Sequence, residues 1–365
     1  MENKTTGRHV SSNHVGQNKK HIAFRFVFMD LIMVGVILCT FAFFHHVLDR
    51  WFLADTYVPV PSAIVKPEPV TAPATEPASE EGQPTQEEVE IPVVDTRTEW
   101  QKKFADHFTD EIISTENSYS SPDVSITIST YSQTEVKPCL TYYVADIYIA
   151  QVENFQTYFA TGEYAYCADE PALDMDAASN ALLSINGDYC NNQRSGLLVR
   201  NGELYLTEQT NADICVLYYD GSMETFEAGT YDVDSILEKS PYQIWKFGPE
   251  LLDGSGQPKT RFNTSDTIRK NHPRTGFGYY EPGHYCFVVV DGRQYSHSMG
   301  LNIEDFAQLF ADLGCTCAYN LDGGDSSIMT FNDEVFSVPS GYSWGRELGD
   351  ILLIKELDEA SEAEP

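Results

Sequence analysis

The sequence predicts an α+β domain, a mixed or antiparallel sheet with flanking helices, preceded by one transmembrane helix and a proline-rich linker. Three observations carry that expectation. Apolar and polar residues alternate through 124–131 and 140–150, with Tyr142, Val144 and Ile147 among the apolar positions, as half-buried strands require. Strand-like runs follow at 196–206, 214–219 and 284–291, while helical spacing is found at 99–113 and 302–313. Ahead of them lie an apolar run at 26–44 and a stretch dense in proline and acid at 57–95.

Residues 26–44 are apolar except for Asp30, close to the roughly 20 residues a spanning helix needs. Lys4, Arg8, Lys19, Lys20 and Arg25 precede the run against a single acid, Glu2. That bias predicts a cytoplasmic tail at 1–25 and everything after the span outside the cell. No small-residue cleavage site follows the run, so an uncleaved membrane anchor is expected in place of a removed signal peptide. Residues 57–95 cannot bury a core and are expected to remain an extended, disordered linker. One extracellular domain is expected over 96–357, followed by an acidic tail at 358–365.

The net charge of −32 argues against nucleic acid as a partner, because phosphate backbones are bound by surplus Lys and Arg. Of the 8 cysteines, Cys39 lies in the predicted span. Cys139, Cys167, Cys190, Cys215, Cys286, Cys315 and Cys317 lie beyond it, an odd set that leaves one unpaired unless a dimer forms. On a strand, Cys315 and Cys317 would point to one face. No cysteine has a base beside it, and no histidines are spaced as metal ligands.

The densest chemistry is at 315–329, CTCAYNLDGGDSSIM. Ile303, Phe306, Leu309, Phe310 and Leu313 form the apolar face of a preceding helix, and Gly314 stops it. A short buried strand should then end in Asn320, Asp322, Gly323, Gly324, Asp325, Ser326 and Ser327. Two glycines allow a sharp turn whose successive N–H groups could cradle an anion, with Asp322 for proton transfer and the serines for hydrogen bonding. Such residues also make ordinary turns. Three further clusters resemble this one in sitting beside apolar runs. They are Asn186-Gly187-Asp188 after 182–185, HPRTGFG at 272–278 with Asp291-Gly292-Arg293 beyond it, and Arg346 to Asp350 before 351–355. Pro273 favours an extended His272, and Gly276 and Gly278 are expected to free the backbone around Phe277. Their recurrence argues for several strand ends meeting at one site.

INGDY (185–189), HPRTGFG (272–278), VVVDGR (288–293), NLDGGDSSIM (320–329) and Arg346 with Asp350, in this order, resemble the phosphodiester glycosidase family over about 179–355. Two departures stand out. Asp325 occupies the place of a third family glycine, and Cys190 that of a usual aromatic. The resemblance implies a membrane-anchored extracellular hydrolase cleaving a sugar-1-phosphodiester on a cell-surface glycan. The competing class is a noncatalytic glycan- or phosphoglycan-binding module. Two carboxylates could do the cleavage, with Asp322 first, Asp188 second and Asp350 third. Asn186, Asp291, Asn320, Gly323, Gly324, Ser326 and Ser327 would bind substrate. Arg274, Arg293 and Arg346 could fork a phosphate, or pair with Asp188, Asp291 or Asp350. No cofactor is required. Ca²⁺ on Asp322 and Asp325 is the one metal reading, since these are hard oxygen donors, although the spacing is not that of an EF-hand.

Overall fold

A computed structural model describes residues 32–36, 38, 40, 61–67, 95–192 and 195–357. The predicted tail 1–25, most of the span 26–44, most of the linker 57–95 and the acidic tail 358–365 lie outside these. Residues 1–57 form a unit of their own, in which 32–36, 38 and 40 are helical. Among the described residues no helix is long and apolar enough to cross a membrane.

The remainder is one unit built on three sheets, all of whose strand pairings are antiparallel. The seven-stranded sheet runs Cys317–Asn320, Arg274–Glu281, His284–Val290, Leu140–Ile149, Val124–Gln133, Ser118–Ser120, Ile113–Ser114. A five-stranded sheet has Leu183–Asn186 at its centre, between Met329–Phe331 and Asp350–Ile354. A six-stranded sheet carries Leu197–Arg200 beside Pro241–Trp245. One apolar cluster joins all three through Ile126 and Ile147, Ile185 and Leu352, and Leu217 and Trp245. Strand Leu140–Ile149 alternates buried and half-buried along its whole length, as its sequence pattern requires.

The helix Ile303–Asp312 buries Ile303, Phe306, Ala307 and Phe310 against Cys286, Val288 and Val290 of the large sheet. Asn302 caps it by accepting from the Asp305 N–H at 2.7 Å. Truncating Phe306 or Phe310 to Ala would cost about 3–5 kcal/mol, so this helix holds the strand that leads into the site.

Four local expectations are corrected. The helix expected over 99–113 is only Glu99–Lys103. Phe104 turns its ring onto Tyr148 at 5.1 Å and His107 stacks on the same ring at 3.6 Å, so packing on the sheet ends the helix after one turn. Gly276 and Gly278 do not free the backbone around Phe277, because all three lie in the inner strand Arg274–Glu281. A Cβ on Gly278 would lie 2.5 Å from the Cys315 sulfur, so close packing explains that glycine. Cys315 and Cys317 face apart, Cys315 toward the helix and Cys317 into the main core, because the strand begins only at Cys317. Within the expected linker, Ser62–Ala63 is an edge strand on Glu203–Thr207, and Lys66 pairs with Glu153. Composition gave no sign of this docking, which uses backbone hydrogen bonds, one ion pair and Ile64 packed against the core of the six-stranded sheet.

Candidate active site

Three strand ends converge. Leu183–Asn186 delivers Asn186, Gly187 and Asp188; Cys317–Asn320 delivers Asn320, Asp322 and Gly323; Asp350–Ile354 begins at Asp350. Asn186 ties them together. Its amide donates to the Asp322 carbonyl at 2.8 Å, and its side-chain oxygen accepts from Thr275 Oγ1 at 2.7 Å. The Gly187 N–H donates to the Asp350 carbonyl at 2.8 Å. A Cβ on Gly187 would stand 2.2 Å from Asp350 Cγ, so only glycine lets that carboxyl sit there.

The result is a narrow cleft walled by Asn186, Gly187, Tyr189, Asp322, Ser326, Arg346 and Asp350. Its free volume of about 10 Å³ is that of roughly one water. Asp322 also borders a second cavity of about 210 Å³, lined by Phe247, His272, Pro273, Arg274, Arg293, Asn320, Gly323 and Gly324. The side-chain oxygen of buried Asn320 has no partner among the described residues. Asp322 therefore stands between two spaces, one of which has room for part of a sugar or phosphate.

Burial pushes the Asp322 carboxyl upward, against hydrogen bonds from Ser326 and the Gly323 N–H that pull it down. Asp350 is buried and pushed up to about 7, first by burial and then by Asp188, with Arg200 opposing. A carboxyl that keeps its proton near neutral pH can serve as a general acid. Arg346 borders the cleft with its Nε donating to the Glu347 carbonyl, and its charge acts on the nearby Asp322 and Asp325 carboxylates.

Several residues expected in the site do other work. Asp188 is fully buried and outside the cleft, accepting from Arg200 at 2.8 Å and from the Lys246 N–H at 2.9 Å. Asp291 is sealed by Tyr143 at 2.9 Å, His297 at 2.6 Å and the Val338 N–H at 3.0 Å, which leaves no oxygen for a ligand. Arg274 lines the larger cavity, yet its guanidinium is spent on the Ile268, Lys270 and Leu301 carbonyls. It clamps the 266–272 wall, and burial lowers it to about 10. Arg293 pairs with Asp325 at 2.6 Å, and Ser340 donates to the same carboxylate. Those bonds, Ser340's first, hold Asp325 below the usual carboxylate range.

The glycine turn is not an open anion cradle. The Gly323 N–H is taken by Asp322 Oδ1, and the Gly324 N–H by the Pro273 carbonyl at 3.0 Å. Ser326 and Ser327 N–H groups bond Gly323 and Gly324 carbonyls at 3.3 and 3.2 Å. The buried Ser327 hydroxyl has no partner among the described residues. Asp322 and Asp325 do not fit a shared Ca²⁺ site, since Arg293 and Ser340 occupy Asp325 and backbone and Ser326 occupy Asp322.

Sequence reasoning missed Arg200. It sits at the end of LLVR in Leu197–Arg200, fully buried, and reaches Asp188 at 2.8 Å and Asp350 at 3.5 Å. A charged residue closing an otherwise apolar strand was the available signal.

Residues 179–355 match the phosphodiester glycosidase family. The SPbeta prophage-derived uncharacterized protein YomE of Bacillus subtilis is 30% identical over 164 residues, covering 43% of this chain and 25% of that protein. The chain thus spans about a quarter of that relative's length. The catalytic domain of zebrafish N-acetylglucosamine-1-phosphodiester alpha-N-acetylglucosaminidase, solved auto-inhibited by its pro-peptide, shares the fold. The TM-score is 0.54 at 20% identity, covering 68% of this chain and 88% of that one. Over residues 179–355, a little under half of its length, the chain is similar to the phosphodiester glycosidase family.

Proposed function

We propose that this chain hydrolyses a sugar-1-phosphodiester, with Asp322 and Asp350 as its two working carboxyls. The observation that carries the reading is their convergence, from different strand ends, on one cleft beside Arg346. Asp350 keeps its proton to near neutral pH and gives it to the bridging oxygen as the bond to the sugar breaks. Asp322 takes a proton from the attacking water, or attacks the sugar carbon itself. Arg346 holds the phosphate oxygens. Tyr342 and Trp344, on the loop that leads to Arg346, are exposed and stacked at 4.9 Å, a surface suited to the apolar face of a second sugar. The reaction proceeds without Ca²⁺.

The work place is the cell surface, with residues 26–44 as a membrane anchor and the domain outside. The long apolar run behind a basic tail supports that topology. The second reading, a glycan-binding module without turnover, draws on Asp325, which Arg293 and Ser340 hold beside the glycine turn, where it would close a phosphate site.

One screen separates the two readings. The full chain is incubated with sugar-1-phosphodiesters, with and without EDTA, and release of free sugar is followed. Release unaffected by EDTA is the expected result; binding without release would favour the module. For topology, protease added to intact cells should free the acidic domain by cutting within 57–95. Protection that lasts until the membrane is permeabilised would reverse the orientation.

A further inference from the structure

Beneath the cleft, one oxygen each of Asp188 and Asp350 and the Cys190 sulfur lie within 4.8 Å of one another, all buried. Such a trio could suit a metal ion. A guanidinium occupies it instead. Arg200 Nη2 donates to Asp188 at 2.8 Å and to Asp350 at 3.5 Å, and Nη1 is fixed by the Val199 and Ile244 carbonyls. Arg200 also lies over the Trp245 ring at 5.8 Å, so it cannot swing away without opening the core. Asp188 is held from its other side by the Lys246 N–H.

We propose that Arg200 and Asp188 are positioning residues, a built-in cation and its counter-anion that hold the Asp350 carboxyl at the cleft and govern when it releases its proton. The inference rests on Asp350 being the acid of the reaction proposed above. It assigns the work of the buried charges to residues that never touch substrate.

The two partners act on Asp350 with opposite signs. A neighbouring carboxylate disfavours a second negative charge, and a neighbouring guanidinium favours it. The other charged or titratable groups around Asp350 are Cys190 beneath it, Tyr189, Asp322, Arg346 and Glu347 along the cleft, and Lys246 behind Asp188. None of these is altered in the test.

The test is the pH profile of kcat/KM for the full chain carrying Asp188→Asn or Arg200→Met, with Arg200→Lys as a charge-preserving control. Activity needs protonated Asp350, so its loss as pH rises marks that group. Asp188→Asn should move this alkaline limb to lower pH and Arg200→Met to higher pH, each by about 1–3 pH units. Arg200→Lys should leave it near the wild-type position. The pH dependence of the urea midpoint, read on the same variants, should shift in the same two directions. It serves if Arg200→Met is inactive or if the chain hydrolyses nothing. Limbs that do not move, or that move the same way in both variants, overturn the proposal. Opposite shifts in stability with no hydrolysis by wild type would keep the charge arrangement and sink only the reaction.

Discussion

The molecule contains the same Asp–Arg pair in two settings. Asp188–Arg200 is made at 2.8 Å with the side chains 0% and 1% exposed, and Asp325–Arg293 at 2.6 Å with 57% and 44% exposed. Distance alone would rank the outer pair first. Burial reverses the order, because an exposed pair is worth about 0–1 kcal/mol, whereas breaking a buried one strands a charge at about 3–5 kcal/mol. The inner pair therefore fixes geometry and proton affinity beneath the cleft. The outer pair cancels the charge that Asp325 brings to the rim, and occupies Arg293 in doing so.

The largest expected effect is on the inner pair. Arg200→Met should cost about 3–5 kcal/mol in urea unfolding, since Asp188 and Asp350 lose their shared cation. A loss below about 1 kcal/mol would put the two pairs on a par and remove the comparison.

The next effect is on pH dependence. Burial pushes Asp350 up to about 7 and Asp176 up to about 6, with Ser184 and Thr330 pulling the Asp176 carboxyl the other way. At these two positions the folded chain therefore holds more protons than the unfolded one, from about pH 4 up to about 6 at Asp176 and about 7 at Asp350. Stability should fall as pH rises through that window, by at most about 1.4 kcal/mol per pH unit for each carboxyl. Asp176→Asn should remove its share of the slope, read as urea midpoints across the range. An unchanged slope would mean that Asp176 is charged when folded.

The smallest effect is at the rim. Asp325→Gly should change stability by less than about 1 kcal/mol. It frees Arg293 toward the 210 Å³ cavity and removes a carboxylate. KM for a phosphodiester should then fall by about fivefold, the equivalent of about 1 kcal/mol between well-solvated charges a few ångströms apart. An unchanged KM would place phosphate elsewhere.

The same contrast explains what was legible in the sequence. Helix Ile303–Asp312 and strand Leu140–Ile149 announce themselves because one face of each is buried and the other wet. That Asn186, Asp322 and Asp350 meet at one cleft was legible only in the recurrence of polar residues at the ends of apolar runs, since each cluster alone also makes an ordinary turn. The partner of a buried charge was not legible, since Arg200 lies 12 positions from Asp188 and 150 from Asp350. For Arg274, Arg293 and Arg346 the motifs left open whether each forks a phosphate or pairs with Asp188, Asp291 or Asp350. Folding decided that the first faces carbonyls, the second a carboxylate and the third the cleft. Helix Glu99–Lys103 fell short of its pattern because Phe104 and His107 found rings on the sheet, a contact no local period encodes.

The central claim, that Asp322 works at the cleft and does not merely shape a turn, meets its most direct test in Asp322→Asn. The substitution keeps the shape and removes the proton-accepting carboxylate. Turnover of a sugar-1-phosphodiester should fall by about 10²–10⁴-fold while the urea midpoint stays at the wild-type value. Unchanged turnover, or a chain that no longer folds, would contradict the account.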